Sequence, residues 1–140
     1  GKWIRHCGLY PDKKIRIFNK QSVKWQGELV HETLFLPENT QIIPLKGDLL
    51  HYSYKNTSSH LQQFDKFTTL TAQEAHKNGK KVSLFGLYFR PKWKFLKDYI
   101  FKLGFLDGYA GYQVCKLSAT ATFLKYAKLK ELNDNENTNK

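Results

Sequence analysis

The chain has 140 residues, 23 Lys+Arg against 12 Asp+Glu, a formal net charge of +11 and 15 % aromatic residues. That length buries about two-thirds of its unfolded surface in one core, and so apolar a composition excludes a disordered chain. There is no run of ~20 apolar residues for a spanning helix, no signal-peptide apolar region, and no metal motif or disulfide framework in Cys7 and Cys115, so a reducing compartment is the default. In chain order, Lys14 to Phe18 alternates as a strand, with Ile15 and Ile17 on one face. Asn19 to Ser22 reads as a turn and Val23 to Trp25 as the returning strand. Leu29 to Leu36 is a further apolar stretch interrupted by His31-Glu32-Thr33, and Pro37 to Thr40 breaks it. Short apolar pieces at Ile42-Ile43 and Leu49-Leu50 flank a turn at Lys46-Gly47-Asp48, before His51-Tyr-Ser-Tyr54.

Past residue 56 the period becomes helical. Ser59 and Gln62 fit a capping box, and Leu61, Phe64, Phe67 (with Thr68), Thr71 and Ala75 follow at helical spacing up to the stop at Asn78-Gly79. A second helix is predicted from Pro91 to Gly104, with Trp93, Leu96, Ile100 and Leu103 on one face, and a third from Tyr109 to Leu132. The pattern is α+β: a strand-rich part over 1–56, a helical part over 57–132 and a polar tail over 133–140 expected to be disordered. Strands so few and short make a poor sheet alone, so the first part reads as the edge of something larger.

The charge points to acidic partners: nucleic acid, anionic lipid or phosphorylated substrates. Arginine, the residue suited to bidentate phosphate and guanine recognition, occurs only at positions 5, 16 and 90, which argues against nucleic acid. The segment from Tyr88 to Lys102 mixes aromatics with lysines. It fits an amphipathic helix packing its rings inward, a helix lying on an anionic membrane, or a stacking surface for single-stranded nucleic acid.

Few residues carry a chemical signature. Glu32, in an apolar stretch, is a candidate general base, and His51 could ligate a metal through neutral imidazole; each also fits an ordinary structural residue. No phosphate-binding glycine loop, Gly-x-Ser-x-Gly, His-Glu-x-x-His or Asp-x-Asp occurs. Gly104, Gly108 and Gly111 lack dinucleotide-site spacing and read as a tight interhelical turn.

Five ordered blocks are more specific together than any one alone: Tyr10 to Lys20, Trp25-x-Gly27-x-x-Val30-His-Glu32, Leu45 to Tyr52, Arg90-Pro with Phe95-Leu-x-x-Tyr99, and Gly104-Phe-Leu-Asp107-Gly-x-x-Gly111. Up to about residue 130 the chain resembles the family 2 glycosyltransferases of lipopolysaccharide core assembly, above all the β-glucosyltransferases that extend inner-core sugars. The resemblance implies the C-terminal part of an inverting enzyme of the GT-A fold. It implies a nucleotide-sugar donor, a lipid-linked glycan acceptor, and a divalent metal (Mg or Mn) held mainly by an N-terminal half that this chain lacks. By position Glu32 matches the catalytic base and His51 the histidine that helps hold metal or diphosphate, while Arg16, Trp25, His31 and Tyr52 would line the acceptor or diphosphate side. It further implies a cytoplasmic protein, peripheral at the inner face of the cytoplasmic membrane, that contacts anionic lipid and not nucleic acid. On this reading the missing initiator methionine reflects a larger parent enzyme, the chain alone is inactive, and a homodimer could cover its open sheet edge. The competing class is a non-catalytic basic module gripping nucleic acid or anionic membrane.

Overall fold

A computed structural model describes residues 2–26, 33–52 and 56–138. Among them the chain forms a small antiparallel hairpin followed by three helices, an α+β order as the pattern predicts. Strand β1 (Lys24–Gln26) pairs with β2 (Thr33–Phe35), Trp25 opposite Leu34. This differs from the predicted pairing of 14–18 with 23–25. Residues 14–18 form no ladder; instead Phe18 sets its ring edge-on to Trp25, centroids 6.2 Å apart. An alternating segment becomes a strand only when a neighbour completes its hydrogen bonds, and here β2 takes that place. The predicted turn at Asn19–Ser22 forms, Ser22 N donating to Asn19 O at 3.0 Å, and the chain bends at Lys46-Gly47. The predicted break at Pro37–Thr40 is a turn in which Thr40 N donates to Pro37 O at 3.2 Å.

Helix α1 (Thr57–Lys77) starts two residues before the predicted cap, Ser59. Asn56 is the N-cap, its side chain accepting from Ser59 N at 2.8 Å while the Ser59 hydroxyl accepts from Asn56 N at 3.3 Å. Ser59 is therefore the N3 partner of the capping box and not its cap. The helix stops at Asn78, with Gly79 at φ +66° supplying the left-handed turn.

Helix α2 (Leu84–Leu96) also starts early, because the Ser83 hydroxyl accepts from Gly86 N at 3.1 Å. Pro91 falls inside the helix, at the loss of one backbone hydrogen bond, and does not open it. A π-helical turn (Lys97–Phe101) and a 3-10 turn (Gly104–Asp107) lead into α3 (Gly108–Thr138), which runs past Leu132. Asn133 closes the end of α1 there: its Oδ1 lies 2.9 Å from His76 Nδ1, and its Nδ2 donates to Lys80 O at 3.3 Å. Residues 133–138, expected as a disordered tail, are thus helical.

Helix α3 is the centre on which both other helices pack. Contacts of Thr57 with Gln113 and of His76 with Asn133 show α1 running parallel to it. Contacts of Arg90 with Tyr126 and of Phe95 with Tyr112 show α2 antiparallel. The central stripe is Gly111, Cys115, Ala119 and Leu129, mostly small residues that let neighbouring backbones approach closely. Ala72 and Ala75 of α1 meet Leu129, flanked by Val82, Tyr126 and Leu132.

Candidate functional site

The hairpin and the segments around it carry every residue singled out for chemistry. Trp25 is 62 % exposed on β1, and Tyr52 is 89 % exposed beyond the last turn of this part. Arg16 and His51 are exposed as well. His31 and Glu32 lie outside the described residues. Among the described residues no hydrogen bond or ring contact joins Arg16, Trp25 and Tyr52 to one another; Trp25 pairs with Leu34 and packs on the Phe18 ring. The Tyr10 hydroxyl donates to Asp48 Oδ2 at 3.3 Å, drawing the turn before His51 back towards the N-terminal segment. The surface around these side chains is apolar and open: Ile17, Ile42, Ile43, Leu49 and Leu50 all face solvent.

No three His, Cys, Asp or Glu side chains converge on a metal-sized site among the described residues. Structural and catalytic metal sites draw three or more protein ligands together. Among the described residues a divalent cation therefore has no fitted cage.

A polar junction that sequence reasoning missed fixes this part of the chain to the helices. Asp107 is almost wholly buried. Its Oδ2 accepts from His6 N at 2.8 Å and Arg5 N at 3.1 Å, and its Oδ1 lies 3.1 Å from His6 Nδ1. Since an ionised carboxylate only accepts, His6 carries a proton on Nδ1. Lys2 Nζ adds a bond to the Asp107 carbonyl at 2.6 Å, and Cys7 N donates to Lys102 O at 3.1 Å. Burial alone would raise the Asp107 carboxyl; the bonds from the His6 ring and from the His6 and Arg5 amides outweigh it and hold the group below the usual range.

Behind Asp107 the two cysteines, 108 positions apart in sequence, come together as free thiols with sulfurs 3.3 Å apart. Burial first, then the contact with the Cys115 sulfur and nearby carboxylates, push the Cys7 thiol up to about 12. Burial likewise raises Cys115. Neither is a thiolate at neutral pH, so the pair is packing and not a nucleophile. Gly104 sits between them: a Cβ there would stand 2.8 Å from Cys115 Sγ and 2.9 Å from Cys7 Sγ. The glycine-rich segment is therefore the tight interhelical turn predicted for it. Asp98, also buried, pairs with Lys94 Nζ at 2.6 Å and lies 3.3 Å from Lys102 Nζ. The single cue in the sequence was a carboxylate set in an apolar turn, Gly-Phe-Leu-Asp107-Gly.

The basic aromatic segment turns Tyr88, Phe89, Trp93 and Phe101 outward, while Phe95 and Tyr99 pack against Tyr112 of α3. Leu87 and Asp98 face the core, whereas Trp93, Leu96, Ile100 and Leu103, expected on the packed face, are exposed. No described helix is long and apolar enough to cross a membrane.

No protein-family model and no solved structure matches the chain. Curated proteins of Rickettsia do. An uncharacterized glycosyltransferase of Rickettsia typhi is 28 % identical over 128 residues, covering 86 % of this chain and 44 % of that protein. Another, from Rickettsia prowazekii, is 27 % identical over the same shares. A third, from Rickettsia felis, is 25 % identical, over 86 % of this chain and 45 % of its own length. The chain thus spans less than half the length of the curated relatives it matches.

Proposed function

We propose that the chain is the acceptor-side, C-terminal part of a glycosyltransferase. The observation that carries this reading is the likeness to the Rickettsia proteins, which extends over nearly the whole chain and over less than half of each relative. A second observation supports it. The strand part exposes Ile17, Ile42, Ile43, Leu49 and Leu50 around an isolated hairpin, an apolar surface suited to packing against further strands.

In finer terms, we read the parent enzyme as an inverting transferase of the GT-A fold and family 2, acting on a lipopolysaccharide-core or similar lipid-linked glycan. Glu32 would act as base: it takes the proton from an acceptor hydroxyl as that oxygen attacks the anomeric carbon of a nucleotide-sugar. The bond from that carbon to the diphosphate breaks with inversion, and the nucleoside diphosphate leaves with the electron pair. Arg16, Trp25, His31 and Tyr52 would line the acceptor or diphosphate side, an exposed indole such as Trp25 offering a flat apolar face to a sugar ring. A divalent cation would be held chiefly outside this chain, with His51 supplying a single nitrogen. The reaction would run at the inner face of the cytoplasmic membrane, where a lipid-linked acceptor is presented.

The test compares the full-length protein with residues 1–140, each given labelled nucleotide-sugars and a lipid-linked glycan. Transfer by the full-length protein and none by the chain alone is the expected result. Turnover by the chain alone would overturn the division of labour. Retention of oligonucleotides with steep salt dependence, and no transfer by the full-length protein, would establish the non-catalytic binding module instead.

A further inference from the structure

Lys80 and Lys81, in the turn after α1, Arg90 of α2 and Lys125 of α3 line one cleft of about 370 Å³, together with Tyr126, Ala75 and Leu129. No carboxylate lines it, and none of these cations has a salt bridge among the described residues. Gathering like charges costs free energy unless a counter-charge settles among them. The arginine is held in place beforehand: its Nη1 donates to the Tyr126 hydroxyl at 2.6 Å, and its guanidinium lies 4.6 Å from the centre of that ring. With one N–H so used, the rest of the fork can meet a tetrahedral oxyanion, for which an oriented guanidinium is well suited.

The neighbouring surface says what the oxyanion belongs to. Arg90 and Tyr126 also line an adjoining groove with Phe89, Trp93, Lys94, Lys97 and Thr122. Along its rim Phe85, Phe89 and Trp93 recur every four residues and stack on one another, centroids 5.4 and 6.4 Å apart and planes within 9°. They are 74 %, 50 % and 46 % exposed. A nucleic-acid base inserted between two rings needs roughly 7 Å from centre to centre, twice a carbon–carbon contact, so this ladder offers no slot for one. Rings presented as an outward edge, with lysines beside them, match the boundary between lipid headgroup and acyl chain.

We propose that the cleft of Lys80, Lys81, Arg90 and Lys125 seats the phosphate of an anionic lipid headgroup, with the Phe85–Phe89–Trp93 edge lying in the bilayer interface beside it. This deepens the membrane-facing part of the proposed function and rests on it only for its purpose. Binding requires neither donor nor turnover, so its failure and the failure of the transferase reading are separable.

The experiment measures cosedimentation of the full-length protein with vesicles of phosphatidylcholine alone, or of phosphatidylcholine with phosphatidylglycerol. The variants are Lys81→Gln/Arg90→Gln/Lys125→Gln, a charge-matched control Lys13→Gln/Lys20→Gln/Lys46→Gln, and Phe89→Ser/Trp93→Ser. Binding should require phosphatidylglycerol and fall by roughly fivefold for each cleft cation removed. The control should fall much less, and the ring variant should lose vesicle binding while keeping its helical circular dichroism. An equal loss in cleft and control variants would overturn the site in favour of diffuse charge. Binding of inorganic pyrophosphate with no vesicle binding would show a free-phosphate site and overturn the lipid assignment. Tighter binding to a single-stranded oligonucleotide than to the vesicles would overturn it as well.

Discussion

At the scale of single residues, Asp107 does the most to join the two parts of the chain. Its carboxylate gathers the amides of Arg5 and His6 and the His6 ring, and its own carbonyl holds Lys2. A carboxyl held below its usual range contributes stability that is present above the unfolded value, ~3.9, and is lost as pH falls through the folded one. The N-terminal segment should therefore detach in acid from that range downward, while the helices persist. Asp107→Asn should bring the detachment to neutral pH at a cost of about 1–3 kcal/mol, since the amide accepts charge-assisted bonds poorly. Hydrogen exchange at Arg5, His6 and Cys7 reads this out: protection unchanged in the variant, or constant from neutral to acid pH, would refute it. The sequence shows the carboxylate in its apolar turn but not its partners, because they lie about a hundred positions away and only the fold brings them together.

At the scale of elements, the helices show where pattern reading succeeds and where it slips. The stop at Asn78-Gly79 and the interhelical role of the glycine segment were legible, since each rests on local backbone geometry. The buried face of α1 was legible only in part, through Thr68 and Ala75. The apolar pattern favours Leu61 and Phe67, yet both are exposed, and Thr68 and Ala72 face α3. A threonine is tolerated there because Lys128 Nζ reaches across to the Thr68 hydroxyl at 3.0 Å and the Asp65 carboxylate at 2.7 Å. The outward rings of α2 misled by looking like core. The close approach at Gly104 gives a direct check. Gly104→Ala would press a methyl against both cysteine sulfurs and the Asp98 carbonyl, and should destabilise by about 1–3 kcal/mol in urea unfolding. An unchanged midpoint would mean that the turn packs loosely.

At the scale of the whole molecule, a packed helical part carries a sparsely structured strand part with a wide apolar surface. The +11 charge, which at first points only to some acidic partner, gains a location in the basic cleft and aromatic edge of the helical part. The candidate chemistry is kept apart from it, on the strand part. Of that candidate site the sequence makes legible the residue types and their order. No contact joins Arg16, Trp25 and Tyr52 among the described residues, and a hairpin by itself supplies no surface that would gather them. The central claim, that this chain brings the base to a sugar transfer, turns on Glu32. Glu32→Gln in the full-length protein, assayed for transfer from nucleotide-sugar and separately for donor binding, tests it most directly. Turnover should fall about 10²–10⁴-fold with donor affinity preserved; turnover equal to that of the unaltered protein would contradict a base at Glu32.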